Sequence, residues 1–126
     1  MLLNSFYSIL SSSVSQSEQS VEIEASLNIH PDHSIFKGHF LGNPIVPGVA
    51  WIQIIKETSE TLLGKQMFLK SSGSIKFLAL THPDDDQKLM LSCKFQFSDS
   101  NTPAFKAIIS RQDVTIFKFD GFFQLL

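Results

Sequence analysis

Gly48-Val49-Ala50-Trp51-Ile52-Gln53-Ile54-Ile55-Lys56-Glu57-Thr58-Ser59-Glu60-Thr61-Leu62-Leu63 is the one stretch of this chain with a convincing helical pattern, and Gly64 closes it. Val49, Ile52 and Ile55 mark an apolar face, and the first half is so apolar throughout that it predicts a helix wrapped by other structure. The second half, with Lys56, Glu57, Glu60 and Lys65, is expected to emerge into water. Outward on both sides the period changes to two. Val21, Ile23, Ala25, Leu27 and Ile29 alternate with Glu22, Glu24, Ser26 and Asn28, the pattern of a half-buried strand, and Phe6 to Val14 reads similarly. Polar residues Ser15 to Ser20 between them read as a hairpin loop. After the helix, Phe68 to Leu80, Lys88 to Phe97, Ala104 to Ser110 and Val114 to Leu126 are rich in Phe and Ile and are separated by Asp-, Asn- and Pro-bearing turns. The order of two strands, one long helix at about 48–63 and four strands predicts an α+β fold, one domain over 1–126, with an antiparallel sheet curled around a single central helix.

Composition narrows the function classes. The chain has 126 residues, 43% apolar and 17% charged, which is too hydrophobic for disorder and enough for one real core. Net charge is −2, so no electrostatic footprint for nucleic acid is present. The lone Cys93 reads as a small buried hydrophobe without a disulfide or zinc partner, consistent with a reducing cytoplasm. No Lys or Arg precedes Lys37, so the apolar N-terminus does not read as a secretory leader, and no run approaches the roughly 20 apolar residues of a membrane span.

Between strand and helix, His30 to Gly48 holds Pro31, Pro44 and Pro47 with Gly38, Gly42 and Gly48, so it reads as a long shaped loop that neither helix nor ladder runs through. Within it, His39 flanked by Gly38 and Gly42 is a candidate general base, because imidazole moves protons near neutral pH and glycines let backbone approach a ligand. Pro47-Gly48 then delivers the chain into the helix, whose first N–H groups are unpaired and can hold a carbonyl oxygen that acquires charge. His30, His33 and His82 with Asp32, and the run Asp84-Asp85-Asp86, read as ordinary loop and turn residues rather than metal ligands. Most of the twelve phenylalanines read as core, with some of them, and Trp51, available to line an acyl tunnel.

Gly38-His39-Phe40-Leu41-Gly42-Asn43-Pro44-Ile45-Val46-Pro47-Gly48 and the helix after it resemble the signature of the hot-dog-fold 3-hydroxyacyl-[acyl carrier protein] dehydratases of fatty acid synthesis. Ser74-Ile75-Lys76-Phe77, followed by His82-Pro83-Asp84-Asp85, is similar to the strand and turn that follow the helix in that family, and the order of elements agrees from about Ile29 onward. The trimmed start resembles the short single-domain branch of polyene and specialised lipid pathways. The resemblance implies a cytoplasmic hydro-lyase without metal or cofactor, a homodimer or higher oligomer with sites at the interface, and an acyl thioester substrate on acyl carrier protein or coenzyme A. It further implies that His39 takes the C2 proton, that amides near Gly48 and Val49 hold the thioester carbonyl, that Phe40 and Trp51 contact substrate, and that a helix carboxyl protonates the departing hydroxyl.

Two positions depart from that pattern. The carboxyl is expected where this chain has Gln53, and Glu57 stands one turn later, where the family has glutamine; Leu41 replaces a loop proline. Either Glu57 reaches the site directly or through water, or Gln53 positions a hydroxyl or water, or dehydration is lost. Hence two alternatives stand beside a dehydratase: a hot-dog thioesterase in which Glu57 activates water, and a non-catalytic subunit of a heterodimer with a second hot-dog chain.

Overall fold

A computed structural model describes residues 1–38, 42, 44–83, 88–98 and 101–126. Strands β1 (Tyr7–Gln16) and β2 (Ser20–Ile29) form a hairpin, the helix α1 (Gly48–Leu63) follows, and β3 (Met67–Phe77), β4 (Leu89–Gln96), β5 (Ala104–Arg111) and β6 (Val114–Leu125) complete the chain. The strands make one six-stranded antiparallel sheet in the order β1-β2-β4-β5-β6-β3. The α1 helix lies against β1, β2, β3 and β4, so the sheet wraps the helix in the expected hot-dog arrangement, an α+β fold.

Alternation decides which residues meet the helix. Ile23, Ala25 and Leu27 of β2, Leu91, Cys93 and Phe95 of β4, Phe105, Ala107 and Ile109 of β5, and Phe119 and Phe123 of β6 point inward and are buried. The phenylalanines pack ring on ring, Phe105 stacking on Phe123 at 4.3 Å between centroids and meeting Phe119 edge-on at 5.0 Å. Burial pushes the Cys93 thiol well above the ordinary thiol range, as expected for an inert core side chain.

Several expectations need correction. The β1–β2 connection is shorter than Ser15 to Ser20, because β1 continues through Gln16 and β2 begins at Ser20. The loop from His30 is interrupted by a single 3-10 turn, Ser34–Lys37, which fits between Pro31 and Gly38 and is capped by the His33 ring accepting from the Ile35 N–H at 3.1 Å. The buried stripe of α1 is Ala50, Trp51, Ile54, Ile55 and Thr58, whereas Val49 is 73% exposed and Ile52 is half-buried. Both stripes have helical spacing and both start apolar, so periodicity alone did not choose between them. Glu57, expected in water, is only 1% exposed.

Candidate functional site

Pro47 enters α1 with an extended backbone and no side-chain cap, so the first turn starts with amide N–H groups that no side chain has claimed. Gly48 sits there for a steric reason: a Cβ would come within 2.5 Å of the Phe77 ring, so β3 and the helix start approach each other only because this side chain is missing. The preceding loop is fastened to the chain after β3. The Val46 N–H donates to the Thr81 carbonyl at 2.8 Å, and His82 Nδ1 lies 3.0 Å from the Pro44 carbonyl, a pairing that makes Nδ1 the donor. His39, Phe40, Leu41 and Asn43, and the aspartates 84–86, lie outside the described residues.

One turn into the helix, Gln53 is half-buried on the same side as Val49. Its Nε2 donates to Glu57 Oε2 at 2.6 Å. The Glu57 carboxyl is otherwise taken up by the N-terminal segment: Oε1 accepts from Leu3 N at 2.8 Å and Leu2 N at 3.0 Å, and Oε2 accepts from Leu2 N at 2.9 Å. The Tyr7 hydroxyl lies 3.4 Å from Oε1 and 3.3 Å from Thr58 Oγ1. Burial pushes the Tyr7 hydroxyl well above its ordinary range, with smaller opposing and reinforcing effects from Thr58 and Glu57, so it remains a hydroxyl.

The N-terminal turn is built for this contact. Asn4 takes a left-handed conformation (φ 70°), which asparagine tolerates, and its N–H donates to the Tyr7 carbonyl at 2.7 Å. The chain thereby doubles back and aims two consecutive N–H groups at one carboxyl. The same segment also touches the loop that leads toward His39. Phe6 accepts at its carbonyl from His30 N at 2.8 Å, and its ring meets His33 edge-on at 5.2 Å and stacks on Phe36 at 5.4 Å. His30 is fixed at both ring nitrogens, Nδ1 to the Ser5 carbonyl at 3.0 Å and Nε2 to Ser8 Oγ at 2.6 Å. The three described histidines are thus engaged in local hydrogen bonds or caps.

The structure brings Gly48, Val49, Gln53 and Glu57 onto one end of α1, while Trp51 points the other way into the core, 3% exposed. Around that end lies an apolar surface of Val49, Phe77, Leu78 and Leu80, the last three 60%, 51% and 67% exposed. Leu2, Leu3, Tyr7, Thr81 and His82 were not anticipated as supports of the site; only His82 carried a signal, as a polar residue beside Pro83 in the turn motif. A separate cleft of about 520 Å³, lined by Lys94, Lys106, Asp120 and Phe122, lies on the outer face of the sheet and belongs to none of this.

Residues 13–116 match the ApeI-like family of ApeI dehydratases. A 3-hydroxyacyl-[acyl-carrier-protein] dehydratase FabZ from Lactiplantibacillus plantarum is 31% identical over 94 residues, covering 69% of this chain and 64% of that protein, so this chain spans just under two thirds of that relative's length. An uncharacterized protein from Erwinia carotovora subsp. atroseptica has the same fold with a TM-score of 0.69 and 25% identity over 94% of both chains. The dehydratase heterocomplex ApeI:P from Xenorhabdus doucetiae is similar in fold alone, with a TM-score of 0.59, 24% identity, and coverage of 90% of this chain and 93% of that one.

Proposed function

The chain belongs to the ApeI-like dehydratase family, and on that premise we propose that it removes water from a 3-hydroxyacyl thioester, on acyl carrier protein or coenzyme A, to leave the trans-2-enoyl thioester. The observation that carries this reading is the uncapped start of α1 beside Gln53: free amides for a thioester oxygen and a hydrogen-bonding side chain for the 3-hydroxyl stand one turn apart on the exposed side of one helix. His39 takes the C2 proton. The electron pair passes toward the thioester oxygen, where the Gly48 and Val49 N–H groups stabilise the charge. The C2–C3 double bond forms as the C3–O bond breaks, and the hydroxyl leaves as water once it gains a proton. An amide does not transfer a proton as an acid, so in this reading the imidazolium of His39 returns the proton it has taken, or a partner subunit supplies one.

The thioesterase alternative needs a carboxyl open to a water molecule, and the occupied oxygens of Glu57 count against it. The second reading that a specific observation favours is a heterodimer. In a site shared across two subunits, Gln53 leaves the acid position empty on this chain, and a second hot-dog subunit with a carboxyl there would complete the site facing His39. The fold neighbour from Xenorhabdus is itself a dehydratase heterocomplex, which is in keeping with this reading.

Incubating the purified chain with a 3-hydroxyacyl-acyl carrier protein and following intact mass tests the proposal. Loss of one water that disappears in His39→Ala supports it. Release of free acid supports a thioesterase instead, and no change until a second hot-dog subunit is added supports the heterodimer.

A further inference from the structure

The contact between Gln53 and Glu57 fixes which atom of Gln53 faces outward. Both Glu57 oxygens already receive backbone N–H groups, so the part of the Gln53 amide that meets them is the NH2, at 2.6 Å. The Gln53 carbonyl oxygen is therefore turned away from Glu57. It has no hydrogen-bond partner among the described residues, and it belongs to the helix side on which Val49 is 73% exposed. A glutamine without this neighbour presents either end of its amide; here only the acceptor is offered.

We propose that Glu57 is a positioning residue that, held by the Leu2 and Leu3 amides, locks Gln53 as a one-way hydrogen-bond acceptor and so selects an acyl group that carries a hydroxyl at C3 over one that carries a ketone there. The inference rests on the acyl thioester reading above. A hydroxyl donates to the Gln53 oxygen, whereas a ketone oxygen placed there faces another acceptor and both lose a partner. The N-terminal segment is part of the device, since Leu2 and Leu3 occupy the carboxyl and keep it from turning toward the site.

Glu57→Gln is the discriminating variant. The new side chain is of the same size, its oxygen still accepts the Leu2 and Leu3 N–H groups, and its NH2 then faces Gln53. Two NH2 groups do not pair, so Gln53 turns over and presents a donor. The probes are pantetheine amides, which are not cleaved, bearing 3-hydroxyacyl or 3-oxoacyl groups of equal length, with affinity measured by calorimetry on the full chain. The wild-type protein is expected to bind the hydroxy form about tenfold or more tightly, and Glu57→Gln to bring the two to parity or to reverse their order. A purely structural role lowers both affinities together and leaves their ratio unchanged, which overturns the proposal. If Glu57→Gln does not fold, Gln53→Leu replaces it, and a ratio kept in that variant overturns the proposal as well. Binding of neither probe by the wild-type protein overturns the acyl reading and this inference together; binding of both at equal strength overturns this inference alone.

Discussion

Gln53 and Glu57 carry the chemistry that sets this chain apart, and their difference from the family pattern is an exchange of two side chains of nearly equal shape. The exchange preserves the hydrogen bonds that matter to the fold. With Gln53→Glu and Glu57→Gln together, the glutamine oxygen at 57 accepts from Leu2 and Leu3 while its NH2 donates to the carboxyl at 53, so the same donors and acceptors meet. The double variant is expected to keep the wild-type melting temperature and to raise the rate of water loss from a 3-hydroxyacyl thioester by about tenfold or more, because a positioned acid contributes about 10²–10⁴-fold in such steps. A steady-state assay of both proteins checks this, and an unchanged or lower rate shows that the hydroxyl does not take its proton at position 53. Glu57 itself was legible as a candidate and illegible as a placement. Beside Lys56 and Glu60 its surroundings in sequence are those of a solvated face, and Lys56 and Glu60 do pair at 3.1 Å, part-exposed, as that view expects. What buries Glu57 is a segment more than fifty residues earlier, which no local period announces.

The elements were largely readable because each follows a local rule: alternation for the strands, an αL glycine at the end of α1, and turn chemistry between β5 and β6. Their boundaries moved by a few residues, and the side of α1 that meets the sheet was misassigned, since Val49 and Ile52 are as apolar as Trp51 and Ile54. The difference lies in the sheet, whose inward phenylalanines and leucines accept the bulkier stripe, and that pairing exists only in three dimensions. The junction of β3 and β6 was also hidden. There β3 is bulged between Leu69 and Ser71 and again between Ser72 and Ile75, and Gly121 of β6 runs so close that a Cβ would come within 2.3 Å of the Ser71 carbonyl oxygen. Backbone cannot yield as a side-chain tip does. Gly121→Ala is therefore expected to destabilise the protein by about 2–4 kcal/mol, with Gly38→Ala, where no atom stands within 4 Å, as a nearly neutral control. Urea unfolding of the two variants measures the contrast, and equal midpoints would show that the strands separate at no cost.

Taken as one body, the molecule leaves uncovered the apolar surface around the start of its helix. Val49, Phe77, Leu78 and Leu80 are each more than half exposed, a concentration of large side chains that soluble monomers seldom leave in water. It adjoins β3, a strand at the edge of the sheet with one side free to pair, so a second hot-dog subunit would extend the sheet and cover the patch together. Light scattering of the purified chain is expected to give at least twice the 14.1 kDa of one copy, and Leu80→Glu to shift it toward one copy with loss of activity. A monomer at working concentration would instead favour a different second chain as the natural cover. The chain holds a single tryptophan, Trp51, seated on the buried stripe of α1 where only 3% of it meets solvent. Its fluorescence is accordingly an intrinsic optical gauge of one event, the seating of the helix in the sheet: emission shifted to short wavelength while the helix is enclosed, moving to long wavelength when it comes free, with no second indole to blur the signal.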